Sequence, residues 1–121
     1  MTAIRSQVNY HAGLAAEALV ETDYTRRGRH FAKRRWRGRG GEIDLIFREG
    51  NGLVFVEVKK SKTHEQALRR ISRRQMDRLC AAATEYVAQE PNGLLTEMRF
   101  DVATVDAAGT VRILENAFMQ A

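Results

Sequence analysis

The sequence predicts one α/β domain: a helix, a three-stranded meander, a second helix and two further strands. Three observations predict it. Apolar residues recur at helical spacing before Arg26 and again from Met76 to Val87. Residues 42–48, 53–59 and 98–105 carry strand-like apolar patterns, and glycine, asparagine and proline cluster between these segments. A chain of 121 residues, 44% hydrophobic and 29% charged, has the size and balance of one folded domain rather than of a disordered polymer.

The first helix is expected from about His11 to Arg26, with Leu14, Ala15, Ala18, Leu19 and Tyr24 as its apolar positions and Glu17 within it. Gly28 ends it. Arg29 to Arg37 reads as a strand around Phe31 and Trp36, and Gly38, Gly40 and Gly41 permit a reversal. From Glu42 to Arg48, Ile43, Leu45 and Phe47 alternate with Glu42, Asp44 and Ile46. Glu49-Gly50-Asn51-Gly52 is hairpin chemistry, and Leu53 to Lys59 follows as the partner strand. Ser72 and Gln75 form a capping box before a helix whose face is Met76, Leu79, Cys80, Ala83, Tyr86 and Val87, stopped by Pro91-Asn92-Gly93. Met98 to Val105 and Val111 to Leu114 are the last two strands, able to pair across Ala107-Ala108-Gly109.

Composition excludes several classes. One cysteine, Cys80, forms neither an internal disulfide nor a zinc finger. No apolar run approaches the roughly 20 residues of a membrane-spanning helix, and no basic-then-apolar leader opens the chain, so a cytoplasmic protein without membrane contact is expected. Twenty lysines and arginines against fifteen acids give +5, which favours a polyanionic partner.

The hairpin brings chemistry together. With a four-residue loop at 49–52, Arg48 faces Leu53, Asp44 faces Glu57 and Glu42 faces Lys59, all four polar groups sharing one side of the sheet. A two-residue Asn51-Gly52 turn would set Asp44 opposite Lys59 and keep that shared side. Paired carboxylates with Cβ atoms about 5 Å apart repel unless a cation lies between them. Hard oxygen ligands suit Mg²⁺ or Mn²⁺, and such an ion can orient a phosphodiester and activate water, with Lys59 near the developing charge. The competing reading is an ordinary solvated sheet face. Leu53 and Phe55 on the Glu57 side, with Val54, Val56 and Val58 on the other, argue that the strand is buried and that Glu57 needs a partner.

Asp44, twelve intervening residues, then Glu57-Val58-Lys59 resembles the D…(D/E)xK signature of the restriction-endonuclease-like PD-(D/E)xK nuclease superfamily. Gly40-Gly41-Glu42-Ile43-Asp44-Leu45-Ile46, Leu53 to Lys59, and Arg99-Phe100-Asp101-Val102 resemble the YraN-like bacterial family, with an element order similar to Holliday-junction resolvases. The resemblance implies a restriction-endonuclease-like core with a mixed central sheet flanked by helices. It further implies Asp44, Glu57, the Val58 carbonyl and helix-borne Glu17 around a metal, and Lys59 as the catalytic lysine. Ile43 stands where the motif has proline, and Gln75 where relatives carry lysine.

The second functional signal is cationic. Arg26, Arg27, Arg29, Lys33, Arg34, Arg35, Arg37 and Arg39 fall within fourteen residues without an intervening acid, and Arg69, Arg70, Arg73 and Arg74 form a second cluster. A phosphate backbone would relieve such repulsion and release counterions. Arg34, Arg35, Arg37, Arg39, Arg73, Arg74 and Gln75 are the expected nucleic-acid contacts; His30 and Trp36 could stack on bases, although a core role suits Trp36 better. The leading expectation is a metal-dependent endonuclease acting on DNA, including branched DNA, for which a homodimer would match a two-fold substrate. The alternative is an inert nucleic-acid-binding module that retains a nuclease fold. A weaker third reading is an arginine-rich surface for an acidic protein.

Overall fold

The computed structural model describes residues 2–117, with side chains described from residue 12. Its elements are α1 (Thr2–Arg26), β1 (His30–Arg37), β2 (Glu42–Glu49), β3 (Gly52–Lys60), α2 (His64–Arg69), α3 (Arg73–Val87), a 3-10 turn at Gly93–Leu95, β4 (Met98–Val105) and β5 (Val111–Leu114). The five strands form one mixed sheet in the order β1-β2-β3-β4-β5. All neighbours are antiparallel except β3 and β4, whose parallel pairing is reached through the helical crossover.

The Arg48–Leu53 register is the one observed as far as Leu45–Val56, but the turn is the two residues Gly50-Asn51, closed by a Glu49–Gly52 pair, rather than a four-residue loop, and the expected Asp44–Glu57 and Glu42–Lys59 pairs are not in the ladder. Gly50, at φ +59, occupies the first central position of the turn, where a side chain would be strained and glycine is not. The Asn51-Gly52 alternative is therefore not adopted. β3 is buried on both sides, as its apolar pattern requires. Val54 and Val56 meet Leu45, Phe47 and α1 on one side; Leu53 and Phe55 meet Ile46 and α3 on the other.

α1 corrects the sequence-based face. It begins at Thr2, and its buried side chains are Ala16, Val20 and Tyr24, while Ala15, Ala18 and Leu19 are exposed. Apolar residues lie on more than one side of this helix, so spacing alone does not select a face. The choice is made by Tyr24, which stacks on Phe47 at 4.4 Å between centroids and donates its hydroxyl to buried Asp101 at 2.7 Å. α3 follows its predicted face at Leu79, Ala83, Tyr86 and Val87, with Ala82 buried beside them, while Met76 and Cys80 are only half-buried; the Ser72–Gln75 capping box is formed. Trp36 belongs to that side, edge-on to Tyr86 at 5.3 Å, as a core residue rather than an open stacking platform. α2 was not anticipated; Thr63 caps it by accepting the Gln66 N–H at 3.1 Å, and Thr-x-x-Gln was its available signal.

Candidate metal and nucleic-acid site

β2 and β3 separate where the carboxylates stand. Their ladder ends at Leu45–Val56, while β3 stays paired to β4 as far as Lys60, so residues 57–60 have one open side. Asp44 fills that gap, accepting the Val58 N–H at 2.8 Å. The strand alternation also breaks here. Ile43 packs toward α3 and Leu45 toward α1, although they are two residues apart and strict pleating would put them together. In β1 the matching irregularity is Arg35, a non-glycine residue at φ 51 that lies between the Arg34–Leu45 and Trp36–Ile43 pairs, across from Asp44. Such a backbone costs about 1–3 kcal/mol and concentrates at functional sites.

Asp44 and Glu57 share a side-chain hydrogen bond and are both largely buried. Burial is the main cause that pushes the Glu57 carboxyl up to about 8, reinforced by the Asp44 charge; Lys59 opposes it. Asp44 is also raised by burial, against the lowering effect of the Val58 N–H. Lys59 Nζ lies 3.5 Å from Glu57 Oε1, and each of these side chains is only 14% exposed, so the solvated-face reading is set aside. Glu42 lines the same cleft as Asp44 and Glu57, but beyond the end of the ladder it turns to Arg37 at 3.0 Å rather than to Lys59.

Glu17 is brought close enough to Asp44 for their charges to repel, yet both its oxygens are occupied by Arg35, each at 3.1 Å. Burial raises its carboxyl first, and the Arg35 hydrogen bonds offset part of that. Among the described residues no three His, Cys, Asp or Glu side chains gather as a metal cage. The oxygen donors free of a guanidinium partner that stand together here are Asp44, Glu57 and backbone. The Val58 carbonyl points to the same side as its N–H, because both backbone groups of a strand residue face one neighbour. Two carboxylates and a carbonyl fit Mg²⁺ or Mn²⁺, which keep several waters and part of their coordination for substrate oxygens. A buried diacid sharing a hydrogen bond is a place where such a cation can replace a proton.

The cleft has a volume of about 440 Å³ and is lined by Arg37, Gly38, Gly41, Glu42, Asp44, Glu57, Gln75 and Arg78. One wall is the β1–β2 loop, and its attachment to α3 was invisible in the sequence. Glu85 accepts the N–H groups of Arg39 and Gly40, each at 3.0 Å. Gly40 lies so near α3 that an added Cβ would meet Ala81 Cβ at 2.7 Å, a short side chain with nowhere to move. Gly40→Ala is expected to cost about 1–3 kcal/mol by urea denaturation, whereas Gly28→Ala, which meets no atom within 4 Å, should cost only the strain of placing a side chain at φ +88.

The matched span of the family described as Uncharacterised protein family UPF0102 is residues 16–105 of this chain. The chain belongs to that family. It is 60% identical over 112 residues to a UPF0102 protein of Cereibacter sphaeroides strain KD131, an alignment covering 93% of this chain and 96% of the relative. A UPF0102 protein of Roseobacter denitrificans is 60% identical over 111 residues, 92% and 86% of the two chains, and one of Ruegeria pomeroyi is 57% identical over 116 residues, 96% and 94%. The matched span of this UPF0102 chain runs from the buried face of α1 to the end of β4 and contains the whole cleft.

The UPF0102 arginine run is corrected in one respect. It has no acid within it, but acids reach it from elsewhere: Glu21 takes Arg34 at 2.8 Å, Glu17 takes Arg35, Glu42 takes Arg37, Asp23 takes Arg27 and Glu49 takes Arg29. Arg39 remains exposed on the loop. In the second cluster Arg69 pairs with Glu65 and Arg73 with Asp77, Arg70 bonds the Lys60 carbonyl, and Arg74 is exposed. Gln75 reaches the cleft, as does Arg78, which the sequence reading passed over; their i, i+3 spacing was the signal. Among the described residues no helix is long and apolar enough to cross a membrane.

Proposed function

We propose that this UPF0102 chain is a metal-dependent nuclease of the restriction-endonuclease-like superfamily, hydrolysing phosphodiester bonds in DNA, including branched or structured DNA. The observation that carries the reading is the buried Asp44–Glu57 pair at the open end of the β2–β3 ladder, with the Lys59 ammonium 3.5 Å from Glu57. Like-charged groups in that position destabilise a fold, and perturbed carboxyls of this kind cluster where chemistry occurs.

Asp44, Glu57 and the Val58 carbonyl would hold Mg²⁺ or Mn²⁺, which supplies charge neutralisation and an acidified water when bound. The chain's own residues do the rest. The Val58 N–H fixes the rotamer of Asp44. Lys59 is held by Glu57 where its ammonium can donate to a phosphate oxygen as charge builds on phosphorus. Arg35 keeps Glu17 as a negative neighbour of the site, outside the donor set. Arg37, Gln75 and Arg78 line the walls that a phosphate backbone would touch.

Incubation of branched and linear DNA with the purified protein and Mg²⁺ or Mn²⁺ tests this. Cleavage should appear with metal, vanish with EDTA, and fall about a hundredfold or more in Lys59→Ala. Cleavage that is unchanged in Lys59→Ala would assign the activity to a contaminant or another site. Salt-dependent binding without product under either metal would leave the inert binding module in its place.

A further inference from the structure

We propose that Arg78, with the side-chain amide of Gln75 beside it, forms a phosphate subsite on the α3 wall of the cleft. It would hold a backbone phosphate next to the one placed at Asp44 and Glu57. The inference rests on the nuclease reading of the acidic floor and assigns how the substrate strand is gripped.

The cleft has an acidic floor, so a polyanionic strand enters only if its walls supply cations. Two arginines line it. Arg37 already spends its charge on Glu42 at 3.0 Å. Arg78 is exposed, and among the described residues no acid forms an ion pair with it; its neighbour Asp77 is turned to Arg73. The root of Arg78 is fixed although its guanidinium is not tied. Gly41 backs onto it so closely that an added Cβ would come within 3.3 Å of Arg78 Cβ and of its carbonyl oxygen. Leu79, next in the chain, is 1% exposed and anchors this turn of α3.

Gln75 lies three residues earlier, one turn toward the start of α3 on the same side. Its Oε1 accepts the Ser72 N–H at 3.3 Å, so the group it can offer the cleft is the amide NH₂, a donor suited to an anion. The β1–β2 loop beside Arg78 is held to α3 by Glu85 through two backbone bonds, which fixes that edge of the cleft. An uncommitted cation, an adjacent donor and a rigid loop beside them make a site for one phosphate. The planar guanidinium favours two-point contact, which lysine cannot copy.

The test is binding of a fluorescently labelled branched DNA duplex in EDTA, read by anisotropy between 50 and 200 mM salt. Wild type, Arg78→Ala and Arg78→Lys are compared, with Mn²⁺ titrated separately by electron paramagnetic resonance. Arg78→Ala should weaken DNA binding about tenfold and reduce the salt slope by about one. Arg78→Lys should restore the slope but only part of the affinity, and Mn²⁺ affinity should be the same in all three. Equal affinity and slope in Arg78→Ala, or a wild type that does not bind DNA, overturns the subsite. Loss of Mn²⁺ binding in Arg78→Ala also overturns it, since the residue would then shape the floor. Absence of Mn²⁺ binding and of cleavage in wild type instead sinks the nuclease reading, whatever Arg78 does. Circular dichroism of Arg78→Lys shows that the comparison is made on folded protein.

Discussion

Glu57→Gln should make the metal-free protein more stable while removing its capacity to cleave DNA. Glu57 is raised from 4.5 to about 8 because burial and the Asp44 charge both oppose its ionised form. Between those limits the unfolded chain ionises at this position while the folded chain keeps its proton. Stability therefore falls as pH rises from about 4.5 towards 8. Glutamine keeps the shape and hydrogen-bonding reach of the protonated carboxyl and has nothing to ionise. We expect a gain of roughly 1 kcal/mol at neutral pH, about 3–6 °C in Tm, and a flatter profile of Tm against pH. Saturating Mg²⁺ or Mn²⁺ should reverse the ranking: at about 100-fold excess over Kd the wild type gains about 2.7 kcal/mol, and the variant gains little. Cleavage in the variant should drop by about a hundredfold or more. Differential scanning fluorimetry with and without metal, from pH 5 to pH 8, reads the stability part directly. A variant less stable than wild type at pH 7.5 without metal would mean that Glu57 is a structural ion-pair partner of Lys59 rather than a strained ligand.

That trade between stability and chemistry marks what the sequence could and could not disclose. The shared side of the acids was legible because both registers open to the sequence keep it; the choice between them is made by the Gly50-Asn51 turn, which the sequence left undecided. From the register came the neighbourhood of Asp44 and Glu57. What it hid was the parting of the strands after Leu45–Val56, which turns two facing acids into a floor with an open side. Across from Asp44, Arg35 stands in a left-handed conformation, which no spacing rule assigns to arginine. Charge compensation was hidden for a different reason. Arg34 meets Glu21 thirteen residues away and Arg35 meets Glu17 eighteen away, through a helix-on-sheet contact that a linear scan for charge runs does not see. The same holds for Glu85, which reaches the Arg39 and Gly40 amides across 46 and 45 residues. Local chemistry, such as the Ser72 cap, lies on the surface of the sequence; contacts that depend on the packing of two finished elements do not.

The largest loss of stability is expected at Asp101, which takes no part in the cleft. Its side chain is fully buried and satisfied from three directions. Tyr24 donates at 2.7 Å, Arg99 donates through Nε and Nη2 at 3.0 Å each, and the Asn116 N–H donates at 3.2 Å. Burial and the Asp101 charge hold the Tyr24 hydroxyl well above its ordinary range, so it stays a donor throughout the usable pH span. Asp101→Ala would leave Arg99, whose side chain is 17% exposed, with only Glu49 and Glu115 at the rim, and would strand the Tyr24 hydroxyl in the core. Breaking one side of such a buried pair costs about 3–5 kcal/mol, a large share of the stability of a domain of this length. Tyr24→Phe removes a single bond to a carboxylate that keeps its other donors, and should cost about 1.5–3 kcal/mol. Combining Arg99→Met with Asp101→Leu removes both charges, and the pair should cost less than Asp101→Ala alone, because no uncompensated charge remains, although the Tyr24 hydroxyl and the Asn116 N–H still lose their acceptor. Urea denaturation of the three variants decides it: an Asp101→Ala loss below about 1 kcal/mol would mean that water reaches this carboxylate. The consequence extends to the cleft, since Tyr24 lies on the same helix as Glu17 and its bond to Asp101 fixes how α1 sits on the sheet. With that bond gone, the Glu17–Arg35 clamp should loosen, and any cleavage activity that survives in Tyr24→Phe should fall in step with the helix's amide protection from hydrogen exchange.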